Sequence, residues 1–382
     1  MTTTETNTVR APHGGRDRAH VVVLGGGYGG HLAAQALAVR TDARITLVND
    51  GDRFTQRIRL HEAAVGQEPA APRYVDLLAG TGVAFVDDRA VGLDPAARRV
   101  RLRDGDPLDY DLLVLALGSR PDPDALPGPV FEVSSAEGAA RLRERLAADD
   151  VGRVAVVGGG LTGLELATEL GETGRPTTLV TDGALGADLS ARGARHVREV
   201  CDRLGIEVVE HARAVAAHDD GLTLADGRTV AADIVVGTTG FTVPSLAREA
   251  GLAVDEHGRV LVDAALRSRS HPEILAVGDA AAATRPDGQV LRMACATALP
   301  AAQQAARTVA ALLAGTAPRP LRFRFAIRCI SLGRRDGLVQ FVQPDDSPRE
   351  LVVTGRLAAA VKEAIVVNAL RVQRHPRIPT GA

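Results

Sequence analysis

Lysine is almost missing from this chain. Lys362 is the only lysine among 45 basic residues, which speaks against a Schiff-base or P-loop lysine. Together with abundant alanine and glycine, the arginine bias points to a GC-rich bacterial genome. Cysteine is scarce too: Cys201, Cys295 and Cys329 stand far apart, with no C-x-x-C or C-x-x-x-x-C pair. Spacing therefore supports neither a dithiol relay nor a cysteine-based zinc site, no metal is expected, and buried free thiols are. No apolar run approaches the ~18–20 residues that span a bilayer. The net charge of −2 gives no general attraction to nucleic acid or to an anionic membrane. The opening "MTTTETNTVRAPHGGRDRAH" lacks an apolar h-region, so residues 1–18 read as a disordered tail and not a signal peptide. The cytoplasm is the expected location.

What is present is glycine punctuation between buried strands. "HVVVLGGGYGGHLAAQALAVRTDARITLVND" reads as strand, glycine turn, helix and strand, the helix from about Gly29 to Val39. An unbroken apolar strand implies a parallel sheet covered on both faces. "RVAVVGGGLTGLELATEL" repeats the arrangement, so the chain carries two copies of a dinucleotide-binding half. Between them, short strands with Asp, Gly and Pro turns return to the buried run "DLLVLALG"; "AEGAARLRERLAADD" is an amphipathic helix. A further set of short strands covers "GIEVVEHARAVAAHDDGLTLADGRTVAADIVVGTTG". "PEILAVGDAAA" reads as a strand entering a helix, and "ATALPAAQQAARTVAALLAG" as a helix. The last 62 residues start strand-like and finish in a helix from Gly355 to about Val372.

Each turn has the spacing that cradles a pyrophosphate. In Gly25-x-Gly27-x-x-Gly30 the first glycine permits the tight turn, the second lets backbone approach phosphate, and the third packs helix on strand. Backbone N–H groups and the helix dipole then hold the anion. The following strand ends at Asn49 and Asp50, at ribose-binding distance; Asn49 can still accept a hydrogen bond through its amide oxygen. The second fingerprint is Gly158-x-Gly160-x-x-Gly163, and its second strand ends at Thr181 and Asp182. Thr181 selects neither NADH nor NADPH, Asp182 leans toward NADH, and Arg192 and Arg195 lie just downstream, so the choice stays open.

"YDLLVLALGS" (Tyr110–Ser119), "PEILAVGDAAA" (Pro272–Ala283) and "ADIVVGTTGFTVPSLA" resemble the later signatures of the two-dinucleotide-binding flavoproteins. With the two fingerprints they imply an α/β fold of two Rossmann-like domains, for FAD and NAD(P)H, in a glutathione-reductase-like arrangement, plus a small C-terminal α+β domain. The implied limits are 19–122 and 246–320 for the FAD domain, 123–245 for the NAD(P)H domain and 321–382 for the C-terminal domain. Asp279, at the mouth of the expected helix, is placed to accept from a flavin ribityl hydroxyl. The resemblance carries cofactor contacts to Gly25, Gly27, Tyr28, Gly29, Gly30, Asn49, Asp50, Arg57, Ala90, Gly118, Gly278, Asp279 and Ala298 on the FAD side. On the NAD(P)H side it carries them to Gly158, Gly160, Leu161, Thr162, Gly163, Glu165, Thr181 and Gly240.

Within that superfamily the chain is most similar to type II NADH:quinone oxidoreductases and apoptosis-inducing-factor-like flavoproteins. "GLTGLELATEL" resembles their G-x-T-G-x-E-x-x-x-E-L segment and implies a catalytic Glu165 close to flavin and nicotinamide; the bland reading is a glutamate that only complements the helix dipole. Dithiol and sulfide:quinone branches need cysteines that are absent. The expected acceptor is a small organic molecule, most readily quinone-like; the alternatives are a soluble flavoenzyme for a metabolite or a flavin-based NAD(P)H sensor. Two departures stand out. The quinone-site helix pattern A-Q-x-A-x-Q keeps Gln303 but has Leu299 at its first glutamine position. The usually apolar segment after the first βαβ unit is "FTQRIRLHEAAVG", where Arg57, Arg59 and His61 share a face if extended and fan apart if helical. Arg57 and His61 can serve a reduced flavin or its acceptor, or these charges simply pair with Glu62 or the FAD pyrophosphate. In the final helix, Leu357, Val361 and Ile365 recur at i+4 and Arg371, Arg374 and Arg377 cluster at the end. That helix suits an anionic membrane surface at the inner face, its own domain, or a homodimer partner.

Overall fold

Every apolar run singled out above becomes a strand of a parallel sheet. The computed structural model describes residues 18–148, 152–285 and 287–381; residues 1–17 of the expected tail lie outside the described residues. Strand β1 (His20–Leu24) leads into helix α1 (Tyr28–Arg40) and β2 (Arg44–Asn49), and β3 (Ala84–Asp87) and β4 (Leu112–Leu115) follow. Between β2 and β3 lies the short helix α2 (Leu60–Ala64). The second sheet is built from β5 (Val130–Phe131), β6 (Val154–Val157), β7 (Thr177–Val180), β8 (Glu207–Val209) and β9 (Ile234–Gly237). Its helices are α3 (Ala136–Leu146), α4 (Leu161–Glu172) and α5 (Ala191–Arg203). With β10 (Ile274–Ala276) the chain returns to the first sheet, whose order is β10-β4-β1-β2-β3; the second runs β8-β7-β6-β9-β5.

All pairs in these two sheets are parallel, β1 on β2 in the register Val21↔Ile45 and β6 on β7 in the register Val154↔Thr177. Both faces are covered, which is why Val21 to Val23 are fully buried without alternation. The short strands expected between the two halves form a three-stranded antiparallel sheet of Ala90–Asp94, Arg99–Leu102 and Leu108–Asp109. After α6 (Cys295–Leu313) the chain forms an antiparallel sheet of β11 (Ile327–Ser331), β12 (Gly337–Val342) and β13 (Pro348–Thr354), closed by α7 (Gly355–Arg374). The result is the expected α/β fold of two Rossmann-like units with a C-terminal α+β unit.

One expectation fails. "PEILAVGDAAA" does not enter a helix: Gly278–Ala280 is a single 3₁₀ turn, and Ala281–Ala282 then pairs in parallel with Val260–Leu261. That ladder takes the backbone groups a helix would have needed, so Asp279 sits on a turn.

The C-terminal sheet is clamped to the second Rossmann unit by buried polar contacts. Ser190 caps α5, its N–H and hydroxyl both donating to Gln340 Oε1 at 3.1 and 2.8 Å. Glu350 accepts from the Ala191 and Arg192 amides at the same helix start. Asp336 accepts from His196 Nε2 at 2.9 Å, Arg203 at 2.7 Å and the amides of Gly337 and Gly355. Burial works to raise the Asp336 pKa, but those donors outweigh it and hold the carboxyl below its ordinary 3.8. A depressed carboxyl stabilises the fold above its unfolded pKa, and that contribution is lost as pH falls through the folded value. Asp336→Asn is therefore expected to cost about 1–3 kcal/mol at neutral pH. In denaturant titrations the gap from the wild type should narrow as pH drops below about 4.

Candidate active site

The two glycine turns are alike in atomic detail. Gly25 and Gly158 adopt φ of +99° and +121°, which L side chains rarely do, and donate to Val48 O and Val180 O, each at 2.8 Å. A Cβ on Gly30 would run into Gly25 O, and one on Gly163 into Gly158 O. By contrast, a Cβ on Gly27 or Gly160 would meet nothing within 4 Å. These two residues are the N-caps of α1 and α4 and carry no side-chain cap, so first-turn N–H groups border open space. Such a cradle fits a pyrophosphate in each unit. Tyr28 is buried with its ring edge-on to Phe54 at 5.1 Å, and its hydroxyl has no partner. Burial pushes the phenol pKa up, leaving a donor beside the first turn. Leu161 and Thr162 occupy the first positions of α4.

In the first unit, Asn49 is spent on the turn: Oδ1 accepts from Gly26 N at 2.8 Å and Nδ2 donates to Gly51 O at 2.9 Å. Asp50 pairs with Arg89 Nε at 2.7 Å and Arg103 at 3.4 Å, and Ala90 opens the hairpin next to Arg89. Gly29, Gly278 and Ala298 converge: a Cβ on Gly29 would lie 3.8 Å from Ala298 Cβ, one on Gly278 at 3.4 Å. Asp279 Oδ2 accepts from Ser119 Oγ at 2.7 Å and lies 3.6 Å from Arg57, which also donates to Ser119 O at 2.9 Å. Gly118 faces that guanidinium, whose carbon stands 5.7 Å above the Phe241 ring. In the second unit, Thr181 comes just after β7, near where Asn49 ends β2; it is buried, and Asp182 beside it is exposed. Gly240 takes a φ of +70° over Ala125.

The segment Arg57–Ala64 is helical, so its charges fan apart. Arg57–Arg59 forms a 3₁₀ turn that runs into α2. Arg57 goes to Asp279; Arg59 binds Glu62 at 3.0 Å and also Glu363; His61 turns to α4, where Nδ1 lies 3.8 Å from Glu165 Oε2. Arg57 and His61 thus belong to different sites. Glu165, 8% exposed, accepts from Lys362 Nζ at 2.7 Å and Ser331 N at 3.0 Å. Burial raises the Glu165 pKa, but Lys362, His61 and the Ser331 amide overcome it, so the carboxyl is held below its ordinary value. Burial opposes the Lys362 charge too, and Glu165 reverses that, lifting the ammonium pKa.

Sequence reasoning missed Lys362. Its only signal was being the sole lysine in an arginine-rich chain; nothing in its spacing pointed to Glu165. Lysine gives a compact point charge where arginine presents a planar fork. Gln303 proves committed elsewhere: its Nε2 donates to Pro376 O and Ile378 O and its Oε1 accepts from Thr380. A surface groove of about 550 Å³ between the Ala90–Leu102 hairpin and Glu249 holds none of the candidate residues. Its Arg99 and His271 are paired with Asp109 and Glu273.

Residues 19–307 match the sequence profile of the pyridine nucleotide-disulphide oxidoreductases. The chain belongs to that family. A Mycobacterium tuberculosis NADH dehydrogenase-like protein is 29% identical over 377 residues, covering 90% of this chain and 92% of the relative. A demethylphylloquinone reductase of Synechocystis is 28% identical over 349 residues, with 84% and 86% covered. A sulfide:quinone oxidoreductase of Aquifex aeolicus superposes with a TM-score of 0.82 at 23% identity, over 94% and 92% of the two chains, which speaks for the fold. The protein is thus an oxidoreductase that uses FAD and NAD(P)H. Despite the family name, Cys201, Cys295 and Cys329 are free thiols, and burial pushes all three pKa values up.

This oxidoreductase gives a direct test of the two cradles. Gly27→Val should fold with an unchanged far-ultraviolet spectrum, because its φ is −61°, yet purify without yellow flavin. Gly160→Val should stay yellow and lose bleaching by NADH. Retained flavin in the first variant, or bleaching in the second, would refute the assignment.

Proposed function

We propose that this chain passes a hydride from NAD(P)H to FAD and two electrons onward to a small quinone-like acceptor. The observation that carries the reading is the Glu165–Lys362 pair, buried where α4, the second cradle's helix, meets the C-terminal sheet and α7. The likeness to a quinone reductase of known acceptor supports it. In this reading the Gly25–Gly30 turn, braced by Asn49, together with Gly118, Ala298 and the Arg57–Ser119–Asp279 group holds FAD, with Tyr28 donating from the side. The Gly158–Gly163 turn, Thr181 and Gly240 hold NAD(P)H, and the domain limits 19–122, 123–245, 246–320 and 321–382 belong to the same proposal. Bound FAD supplies a carrier that accepts a hydride and releases its electrons to a different molecule. Arg57 is engaged by Asp279, so it serves cofactor binding and not the acceptor.

Glu165 and Lys362 then have distinct tasks. The Lys362 ammonium favours negative charge developing on an acceptor oxygen. Glu165, held ionised, accepts and hands on a proton at its free oxygen Oε2. Asp182, exposed one residue past the ribose position, supports NADH over NADPH by repelling a 2′-phosphate. The exposed side of α7, with Leu357 at 65% and Val367 at 55% exposure and Arg371, Arg374 and Arg377 at its end, supports contact with an anionic membrane face. No described helix is long and apolar enough to cross a membrane.

Anaerobic stopped-flow absorption tests the scheme. NADH should bleach the flavin faster than NADPH, and Asp182→Ala should narrow that difference. A soluble naphthoquinone should restore the yellow colour. In Lys362→Met the restoration should slow by roughly 10²–10³-fold while bleaching by NADH is affected far less. Absence of recovery with quinone in the wild type would sink the acceptor half of the proposal.

A further inference from the structure

The backbone passes from one Rossmann unit to the other twice, and one side chain touches both passages. The first passage, residues 116–129, leaves β4 for β5; the second, residues 238–245, leaves β9 to return to the first unit. They pair antiparallel, Arg120 on Thr242 and Pro121 on Phe241, and Asp122 N donates to Gly240 O at 2.7 Å. Each passage has a left-handed glycine just ahead of its paired residues, Gly118 at φ +68° and Gly240 at φ +70°. A side chain is strained in that conformation, and a Cβ on Gly240 would also run into Ala125 Cβ. The path into the paired ribbon is thus tightly set on both sides.

Arg57 is held against this ribbon. Its Nη1 donates to Ser119 O at 2.9 Å on the first passage, and its guanidinium carbon stands 5.7 Å above the Phe241 ring on the second. The same Nη1 lies 3.6 Å from Asp279 Oδ2, which also accepts from the Ser119 hydroxyl at 2.7 Å. On its other side, the 3₁₀ turn that begins at Arg57 runs into α2, and Leu60 and Ala64 of α2 are buried in the apolar core of the second unit. A planar guanidinium can stack on a ring and donate in its own plane at once, which a lysine ammonium cannot do. Arg57 therefore joins four things: the Asp279 turn, both passages, and the seat of α2 on the second unit.

The geometry points to Arg57 and Phe241 as a positioning pair that sets the second cradle in register with the Asp279 turn, and so sets the rate of hydride delivery. The inference rests on the reading that the first cradle and Asp279 hold FAD and the second cradle NAD(P)H; it is independent of the acceptor. Reacting atoms must stand about 3–3.5 Å apart for such a transfer. When each partner is held by a different unit, that gap is decided by how the units are set against each other. A shift of the Asp279 turn moves Arg57, and with it the Ser119 carbonyl, the Phe241 ring and the start of α2. Neither Arg57 nor Phe241 takes part in the chemistry; both act through the placement of the two cradles.

The test uses FAD-loaded Phe241→Leu, which removes the ring and keeps the Arg57–Ser119–Asp279 contacts, and Arg57→Lys, which keeps the charge and loses the fork. At saturating NADH, anaerobic bleaching should slow by roughly 10-fold or more in each. The Kd for NADH should stay near the wild-type value, and NADH deuterated at the transferred position should show a larger isotope effect. In the double variant Phe241→Leu/Arg57→Lys the rate should match that of Arg57→Lys, because the ring acts through the guanidinium. Wild-type bleaching in Phe241→Leu, fully additive losses, or a weaker Kd with the saturating rate kept would each overturn the pair. Hydrogen exchange adds a readout that needs neither NADH nor acceptor. In Phe241→Leu, exchange should rise at residues 119–122 and at Leu60–Ala64 as well as at Phe241–Thr242. A rise confined to residues 241–242 would refute the coupling. In the wild type, removing FAD should raise exchange at the Gly25–Gly30 and Gly278–Ala280 turns and at the paired passages together. Change at both turns with the passages unmoved would sink this inference alone, whereas no change at either turn would refute the placement of FAD on which it rests.

Discussion

A carboxylate held out of water stays ionised only where a cation and hydrogen bonds stand in for the solvent, and Glu165 obtains both from the far end of the chain. Lys362 on α7 and the Ser331 amide on β11 bind the same oxygen, Oε1. Losing either partner of such a buried pair typically costs 3–5 kcal/mol, because the charge left behind is uncompensated. The requirement ties the C-terminal unit to the second Rossmann unit at the point where the candidate chemistry lies. The contacts that tie α5 to Gln340, Glu350 and Asp336 hold the same two units together, so the pair is met with little freedom. Side chains that must be correct to within a fraction of an ångström are in this way fixed by elements that are themselves packed.

The duplicated turns divide one design into two tasks through their surroundings. Both have the left-handed first glycine, the open second and the occluded third. The first has Asn49 and Tyr74 closing on Gly26, a buried tyrosine at Tyr28, and a charged group at Asp279, Ser119 and Arg57 supplied by three other segments. The second has Thr181 beside Gly159, an exposed Asp182, and a helix that continues into Glu165. The first turn is thus held by side chains from several distant segments, and the second is flanked by an exposed carboxylate.

Much of this was legible in the sequence because it depends on short-range rules. Apolar runs of four to six residues bounded by glycine announced the parallel strands, and the predicted "RITLVN" strand coincides with β2. The G-x-G-x-x-G spacing located both helix starts, and Glu165 could be singled out from its place after the second. Legibility stopped wherever a residue's role depends on a partner distant in sequence. Arg57, Arg59 and His61 could be drawn on one face only by assuming an extended chain; as a 3₁₀ turn running into α2 they split, Arg57 going to Asp279 and Arg59 and His61 to Glu62 and Glu165. Asp279 was expected at a helix mouth, but pairing of Ala281–Ala282 with Val260–Leu261 outcompeted a helix. Gln303 matched half of a motif, and the Pro376–Thr380 backbone claimed its amide. Lys362 had no local pattern at all.

Helix α7 shows why its sequence looked ambiguous. An amphipathic helix ordinarily turns one apolar stripe to its own domain and a polar face to water. Here Ala358, Val366, Ala369 and Val372 pack inward, and Gln373 donates to Tyr28 O at 3.2 Å and meets His31 at 2.9 Å, fastening the helix to α1. Lys362 and Glu363 reach toward Glu165 and Arg59 from the same helix. Leu357 and Val367 are left outside. Apolar residues thus occur on both sides, and the periodicity spreads over more of the circumference than a single buried stripe would need. The helix that completes the charge balance around Glu165 is also the one presenting apolar surface to the outside.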